Sequence, residues 1–516
     1  MRPILASSIA ALLTSTILAT ASQPPAADGG TLAAGFAEVD RQLAEYAAQA
    51  HAPGAAWGVI VDGRLAHTGV TGYRDVASRA PVDADTVFRI ASMTKSFTAM
   101  SILKLRDEGR LSLDDEAERY VPELKGLKYP TTDAPKITVR HLLSHSEGFP
   151  EDNPWGDRQL ADTDEQLSAM MRAGIPFSNV PGVAYEYSNF GFAILGRIVS
   201  NVSRTRYTDY VAANILRPLG MTSTTLEPKE VPPQRLALGY RWEDERWKEE
   251  PQLSNGSFGS MGGMLTSLRD LTRYVGVFLS AWPPHDGPED APIRRASLRE
   301  MQQVWRFAPA RAARDAAGAL QLNAGGYAYG LRVAQSCRFL HIVSHTGGLP
   351  GFGSIMLWLP DYGAGIVAFG NVTYTSWTRA ATAAMEAFVD RAGLKPRQPA
   401  PSPALTEARD AVSRLVSHWD DTLADRIAAE NLFLDRAKER RHAEIERLRA
   451  SVGACRQDAR PFDVVENALR GRWTLDCEKG KLEVAITLAP TMPPRVQFME
   501  MREAQGAQPP GESCAP

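Results

Sequence analysis

Thr86-Val87-Phe88-Arg89-Ile90, followed by Ala91-Ser92-Met93-Thr94-Lys95-Ser96-Phe97, is the stretch on which the fold turns. The first five residues have the branched and aromatic character of a short strand, and the pattern then becomes helical from Ser92 to about Asp107. Ser92 and Lys95 lie one helical turn apart, on one face. A serine hydroxyl is a poor nucleophile until a base takes its proton, and a lysine amine is a base only when its pKa falls well below about 10.4. A serine at a helix start also meets backbone N–H groups able to hold a developing oxyanion. Ser101-Ile102-Leu103-Lys104 repeats the spacing nine residues later, but Ser101 falls inside the helix, away from its N-terminal end.

On the N-terminal side, Leu32, Phe36, Val39, Leu43 and Tyr46 have the spacing of an amphipathic helix. Two β-rich runs follow, Ala55–Val61 and Arg64–Tyr73, joined at Asp62-Gly63, a dipeptide suited to a two-residue hairpin turn. Residues from about 97 to 330 read as mostly helical and loop-like, with an insertion-like stretch from Trp282 to Gly325. Cys337–His345, Phe352–Leu359 and Gly365–Phe369 then read as strands, with a turn at Pro360-Asp361-Tyr362-Gly363 and a closing helix over Ser376–Arg391. Strands at both ends of this region and helices between them predict an α+β fold. One antiparallel sheet is flanked by helices, with an inserted, mainly helical lobe and a cleft where lobe meets sheet.

Two further motifs carry chemistry. Tyr187-Ser188-Asn189 is the only Tyr-x-Asn in the chain. A tyrosine near a lysine can be held partly as phenolate and relay protons, and an asparagine amide can bind a substrate carbonyl. In His345-Thr346-Gly347, strand placement lets the glycine admit substrate close to the backbone, while imidazole and hydroxyl face a carboxylate. His67-Thr68-Gly69 matches the same pattern but precedes Ser92, so only His345 completes the order Ser, Tyr, His.

That ordered set resembles the three motifs of the penicillin-recognising serine hydrolases, most closely the branch of low-molecular-mass DD-peptidases, class C β-lactamases and family VIII esterases. Ile137–His145 with Gly148, and Gly262-Gly263-Met264 before Thr266-Ser267, match as well, and the likeness covers roughly residues 30–392. It implies a β-lactamase/transpeptidase-like fold with Ser92 as the acylated nucleophile and Lys95 and Tyr187 sharing proton transfer. The backbone N–H groups of Ser92 and Gly348 would form the oxyanion hole, Asn189 would hold the substrate amide, and His345, Thr346 and Gly347 would line the carboxylate or leaving-group side. Class C β-lactamases usually carry Tyr-Ala-Asn and Lys-Thr-Gly where this chain has Tyr-Ser-Asn and His-Thr-Gly. A histidine is only partly cationic near neutrality, so the resemblance points to a D-alanyl-D-alanine carboxypeptidase or related D-peptidase. The alternatives are a carboxylesterase, a weak class C-type β-lactamase, and an inactive sensor or scaffold.

Residues 393–404, including the Pro-rich Lys395–Pro403, read as a linker between the hydrolase unit (30–392) and a small α+β unit (405–516). In the latter, Leu405–Trp419 and Arg426–Arg449 read as helices, and Gly471–Cys477, Leu482–Leu488 and Val496–Met501 as strands. No motif there names a partner. Met1-Arg2-Pro3, the apolar Ile4–Leu18 and the small-residue site Ala19-Thr20-Ala21 predict a cleaved leader over 1–21 and export to the periplasm or beyond. The cysteines, Cys337, Cys455, Cys477 and Cys514, fit an oxidising compartment: Cys455–Cys477 is one pairing among several, and there is no C-x-x-C metal spacing.

The 516 residues are 44% hydrophobic and 23% charged, which excludes whole-chain disorder. A net charge of −3 with no nucleic-acid module argues against nucleic acid as partner and leaves a small-molecule or peptide substrate, such as a peptidoglycan stem peptide. No cofactor or metal is expected, since His141 and His145 have no partner that completes a ligand set.

Overall fold

The structure, a computed structural model, describes residues 29–314, 320–456 and 461–504. The expected leader and Cys514 lie outside these residues. Among the described residues no helix is long and apolar enough to cross a membrane.

Both ends of the larger unit build one sheet, as the sequence pattern predicts. Its nine antiparallel strands run, from edge to edge, Ala80–Pro81, Arg64–Asp75, Gly54–Val61, Ala364–Gly370, Phe352–Leu359, Ile342–Leu349, Arg332–Ser336, Leu320–Tyr327 and Arg306–Arg314. The hairpin between the first two long strands turns at Asp62 (φ 47°) and Gly63 (φ 75°), the positive pair that a two-residue turn needs. Alternation along the central strands feeds two cores. Met356, Trp358, Val367 and Phe369 face the helical lobe, whereas Ile355, Leu357, Ile366 and Ala368 face the helices Gly29–Gln49 and Thr378–Arg391. The helix Thr94–Asp107 is buried along most of its length, with Phe97, Met100, Ile102 and Leu103 inside the first core. The start of that helix is thereby fixed against the sheet.

Two expectations change here. Cys337–His345 is not one strand: Arg332–Ser336 and Ile342–Leu349 are separate strands joined by a hairpin in which the Ser336 side chain accepts the backbone N–H of Arg338 and Phe339. The insertion before the third motif is also not merely loop, because Arg306–Arg314 and Leu320–Tyr327 pair and extend the sheet to its edge.

The smaller unit stacks helices Pro403–Ser417, Asp421–Ile427, Glu430–Asp435 and Lys438–Val452 on a four-stranded antiparallel sheet of Val464–Asn467, Arg470–Asp476, Lys481–Leu488 and Val496–Glu503. The single helix expected over Arg426–Arg449 is broken twice, at Ala428-Ala429 and at Arg436-Ala437. The breaks let Leu432 and Ile445 enter one core with Trp473, Val484 and Ile486. Cys455 and Cys477 are disulfide-bonded, closing a loop worth about 3 kcal/mol in chain entropy. Cys337 is also disulfide-bonded. The connecting residues are tied to both units: Arg397 donates to Leu279 O, Gln398 to Asp463 O, and the Ser402 N–H to Ala468 O.

Candidate active site

Where the helical lobe meets the sheet there is a cleft of about 500 Å³, lined by Ser92, Glu151, Asn153, Asp157, Tyr187, Arg332, His345, Thr346, Gly348 and Tyr374, among others. Ser92 sits in a tight turn, Ala91–Met93, at the mouth of the buried helix. Ala91 there has φ 47°, a left-handed conformation that costs a non-glycine residue of order 1–3 kcal/mol and is held by the packing around it. The decoys are accounted for. Ser101 donates to Phe97 O inside the helix, and His67 binds Asp40 on the outer hairpin.

Lys95 is fully buried, and its Nζ lies 2.6 Å from Asn189 Oδ1, 2.8 Å from Met261 O and 3.1 Å from Ser92 Oγ. Burial pulls the amine down to about 7, against the raising influence of Asp157, Asp152 and Glu151. In the neutral form, two N–H groups meet the shorter contacts and the lone pair is left facing Ser92. That is the arrangement of a base with its nucleophile. Tyr187 also hydrogen-bonds Ser92, but burial raises its phenol well above 10, so it is a neutral hydroxyl and not the partial phenolate expected from sequence. Lys95 Nζ stands 4.8 Å from the centre of the Tyr187 ring.

Asn189 is brought to the site in another role. It is completely buried, its carbonyl engaged by Lys95 and its amide donating to Asn153 Oδ1 at 2.7 Å. It therefore holds the lysine, and Asn153 is the asparagine that lines the cleft. Asp152 accepts the backbone N–H of Asn189 and Phe190, and Ser188 caps the same helix through Gly191 N–H, so the second motif is pinned at a helix N-terminus. His145 supports it from behind, its Nδ1 accepting the Ser188 N–H. His141 instead joins a capping box with Thr138. Among the described residues no cluster of three or more potential ligands could hold a metal.

The third motif is corrected in two places. Burial, then the charges of Arg332 and Lys95, push His345 down to about 3. Its Nδ1 meets Thr346 O at 2.7 Å and its Nε2 meets the Tyr327 hydroxyl at 2.9 Å, so the ring is neutral with both nitrogens engaged. Gly347 is not among the residues that line the cleft; it faces inward, where a Cβ would stand 2.1 Å from Ile90 O. Thr346 and Gly348 do line the cleft.

The fixed positive charge comes from a residue that the sequence reading passed over. Arg332 pairs with Ser344 on the neighbouring strand, and its guanidinium stands 5.8–5.9 Å from the rings of Tyr185, Tyr187 and Tyr327. Asp157, Tyr374 and Met261 were likewise missed. None belongs to a local pattern, and only the pairing of Arg332–Ser336 with the motif strand would have pointed to the arginine.

A buried Ser–Lys pair with a tyrosine on the serine, in a cleft between a helical lobe and an antiparallel sheet, is what the sequence likeness implied. The Beta-lactamase family model matches residues 39–389, well over half of the chain. The chain belongs to the beta-lactamase family. That family is one of serine hydrolases, and penicillin-binding proteins are among the chain's relatives. Family relatives include Protein flp of Staphylococcus aureus strain N315, 29% identical over 341 residues, covering 65% of this chain and 63% of that protein. Penicillin-binding protein 4* of Bacillus subtilis strain 168 is 26% identical over 320 residues, covering 58% of this chain and 64% of that protein. The chain thus spans less than two thirds of these curated relatives. An octameric penicillin-binding protein homologue from Pyrococcus abyssi shares the fold, with a TM-score of 0.57 and 23% identity, over 88% of this chain and 91% of that one.

Proposed function

We propose that the protein is an exported serine hydrolase that forms an acyl-enzyme at Ser92 and acts as a D-alanyl-D-alanine carboxypeptidase or related D-peptidase. The observation that carries this reading is Arg332, a permanent cation in the cleft beside the strand of the third motif. A guanidinium suits the terminal carboxylate of a peptide and has no use in a simple ester. In the reaction, neutral Lys95 takes the Ser92 proton as Oγ attacks the scissile carbonyl. The Ser92 and Gly348 N–H groups receive the oxyanion, and the proton taken by Lys95 is passed on, with the Tyr187 hydroxyl as relay, to the departing amine, which leaves Lys95 neutral and Tyr187 protonated for deacylation. Water then releases the acid and regenerates Ser92. The disulfides support export, since such bonds persist in oxidising compartments, and so does the leader read over residues 1–21.

The test is release of free D-alanine from an N-acetylated peptide ending in D-Ala-D-Ala, measured beside hydrolysis of p-nitrophenyl acetate. D-Alanine release, with a slowly clearing mass adduct on incubation with benzylpenicillin, supports the peptidase. Ester hydrolysis without D-alanine replaces it with a carboxylesterase. Arg332→Ala is expected to lower kcat/KM on the D-Ala-D-Ala peptide about 10- to 100-fold, chiefly through KM, because a charge-assisted hydrogen bond is worth about 1.5–3 kcal/mol. The loss on p-nitrophenyl acetate, which has no carboxylate, is expected to be far smaller.

A further inference from the structure

Asp157 is 3% exposed yet lines the cleft. Its Oδ2 accepts the Tyr374 hydroxyl at 3.1 Å, whereas Oδ1 has no hydrogen-bond partner among the described residues. A buried carboxylate oxygen without a donor is costly, so its retention in a cleft points to a donor that arrives with the ligand.

The position of this oxygen says which part of the ligand. Arg332 stands beside Ser344, at one end of the motif strand. Tyr374, which holds Asp157, stands at the other: its N–H donates to Leu349 O, and its ring lies 3.0 Å from where a Gly348 Cβ would be. From residue 344 to 348 a strand advances ~13 Å. The Ser92 turn packs at Gly347, past Ser344 and next to the Gly348 end, because Ile90 O lies against Gly347 and accepts the hydroxyl of Ser354, the register partner of Gly347. The cleft therefore has a cationic pole, a nucleophile and an anionic pole in that order. Glu151 also lines the cleft, but within electrostatic reach of Arg332 and Tyr185, so the anionic pole is Asp157 alone. The cations near Asp157 are Lys95, which burial drives toward neutrality, and Arg158.

We propose that Asp157 Oδ1 receives a free ammonium on the acyl side of the substrate, so that the cleft selects short zwitterionic peptides with an amino group close to the scissile carbonyl. This rests on the reading of Ser92 as nucleophile and Arg332 as carboxylate anchor, and it adds the second pole. It makes Asp157 a specificity-determining residue, and because its charge also raises the Lys95 amine, the test reads binding and not turnover.

The test uses equilibrium binding to the full chain carrying Ser92→Ala, so that no turnover is needed. D-Ala-D-Ala and N-acetyl-D-Ala-D-Ala are titrated by calorimetry near neutral pH. The free dipeptide is expected to bind at least tenfold more tightly. Adding Asp157→Asn is expected to bring the ratio to about one, and Asp157→Glu to restore part of it. Equal binding of the two dipeptides, no binding of either, or a preference that survives Asp157→Asn overturns the proposal. So does a loss of both ligands together in Asp157→Asn, which would mark Asp157 as a support for the shape of the cleft. The peptidase reading is judged separately by D-alanine release in the unmodified enzyme. Release from the acetylated peptide alongside equal binding would leave that reading standing and remove this one.

Discussion

Ser92→Ala, Lys95→Met and the double variant are expected to fall to one common floor, each losing roughly 10⁴-fold or more in kcat/KM, because nucleophile and base act as a unit and their losses do not add. The geometry behind this is the set of three contacts at Lys95 Nζ, in which Asn189 Oδ1 and Met261 O occupy the two amine hydrogens and orient the lone pair toward Ser92. Lys95→Arg is expected to be equally inactive, since it keeps a cation in place but supplies no base near neutrality. The unmodified enzyme should show the titration of Lys95. Burial lowers this amine to about 7 in the folded protein, and the deprotonated form is the competent one. Activity should therefore fall below that point and level off above it, with Asp157, which burial raises to about 6 and which interacts with Lys95, titrating in the same window, so that the acid limb belongs to the pair. Tyr187, raised well above 10, adds no ionisation in that window. An acid limb lying well away from 7, or a double variant far slower than either single one, would show that Lys95 is not the base for Ser92.

The parts of this site that were legible in the sequence are those fixed by local geometry. Asp62-Gly63 supplies its own turn, and Ser92 is distinguished from Ser101 by position in a single helix. What was not legible depends on which strands meet. Arg306–Arg314 contains Ala308, Pro309, Ala310 and Ala312, a composition with no strand signature, and it becomes a strand only because Leu320–Tyr327 lies beside it. It is an edge strand, where proline is tolerated. Arg332 stands thirteen positions before His345 in sequence yet enters the same cleft through a hairpin whose turn carries no Gly or Pro signal. The charge of His345 could not be read because it depends on burial and on Arg332, neither of which is local. The motif residues were found, and the environment that sets their protonation was not.

Gly347→Ala is expected to cost about 100-fold in kcat and about 1–3 kcal/mol in stability, although Gly347 is not among the residues that line the cleft. The reason lies in Ile90 O. That oxygen accepts the Met93 N–H at 3.2 Å, closing the turn that presents Ser92, and it accepts the Ser354 hydroxyl at 3.1 Å. A Cβ on residue 347 would lie 2.1 Å from it and 2.9 Å from the Ile90 carbonyl carbon. These are backbone atoms, so the strain cannot be relieved by a side-chain rotation. The Ser92 turn must instead move away from the motif strand by about 1 Å, a misplacement that suffices for a loss of that size. Gly348→Ala makes the contrast: its Cβ would meet the ring of half-exposed Tyr374 at 3.0 Å, a side chain that can turn aside, and its loss should be much smaller. The two variants are compared by kcat, KM and thermal unfolding, with the rate at which a fluorophosphonate labels Ser92 as a readout of nucleophile placement. Slow labelling with KM little changed is the expected signature of Gly347→Ala. A raised KM with normal labelling would mean that the glycine meets the substrate after all, as its place in the third motif first suggested.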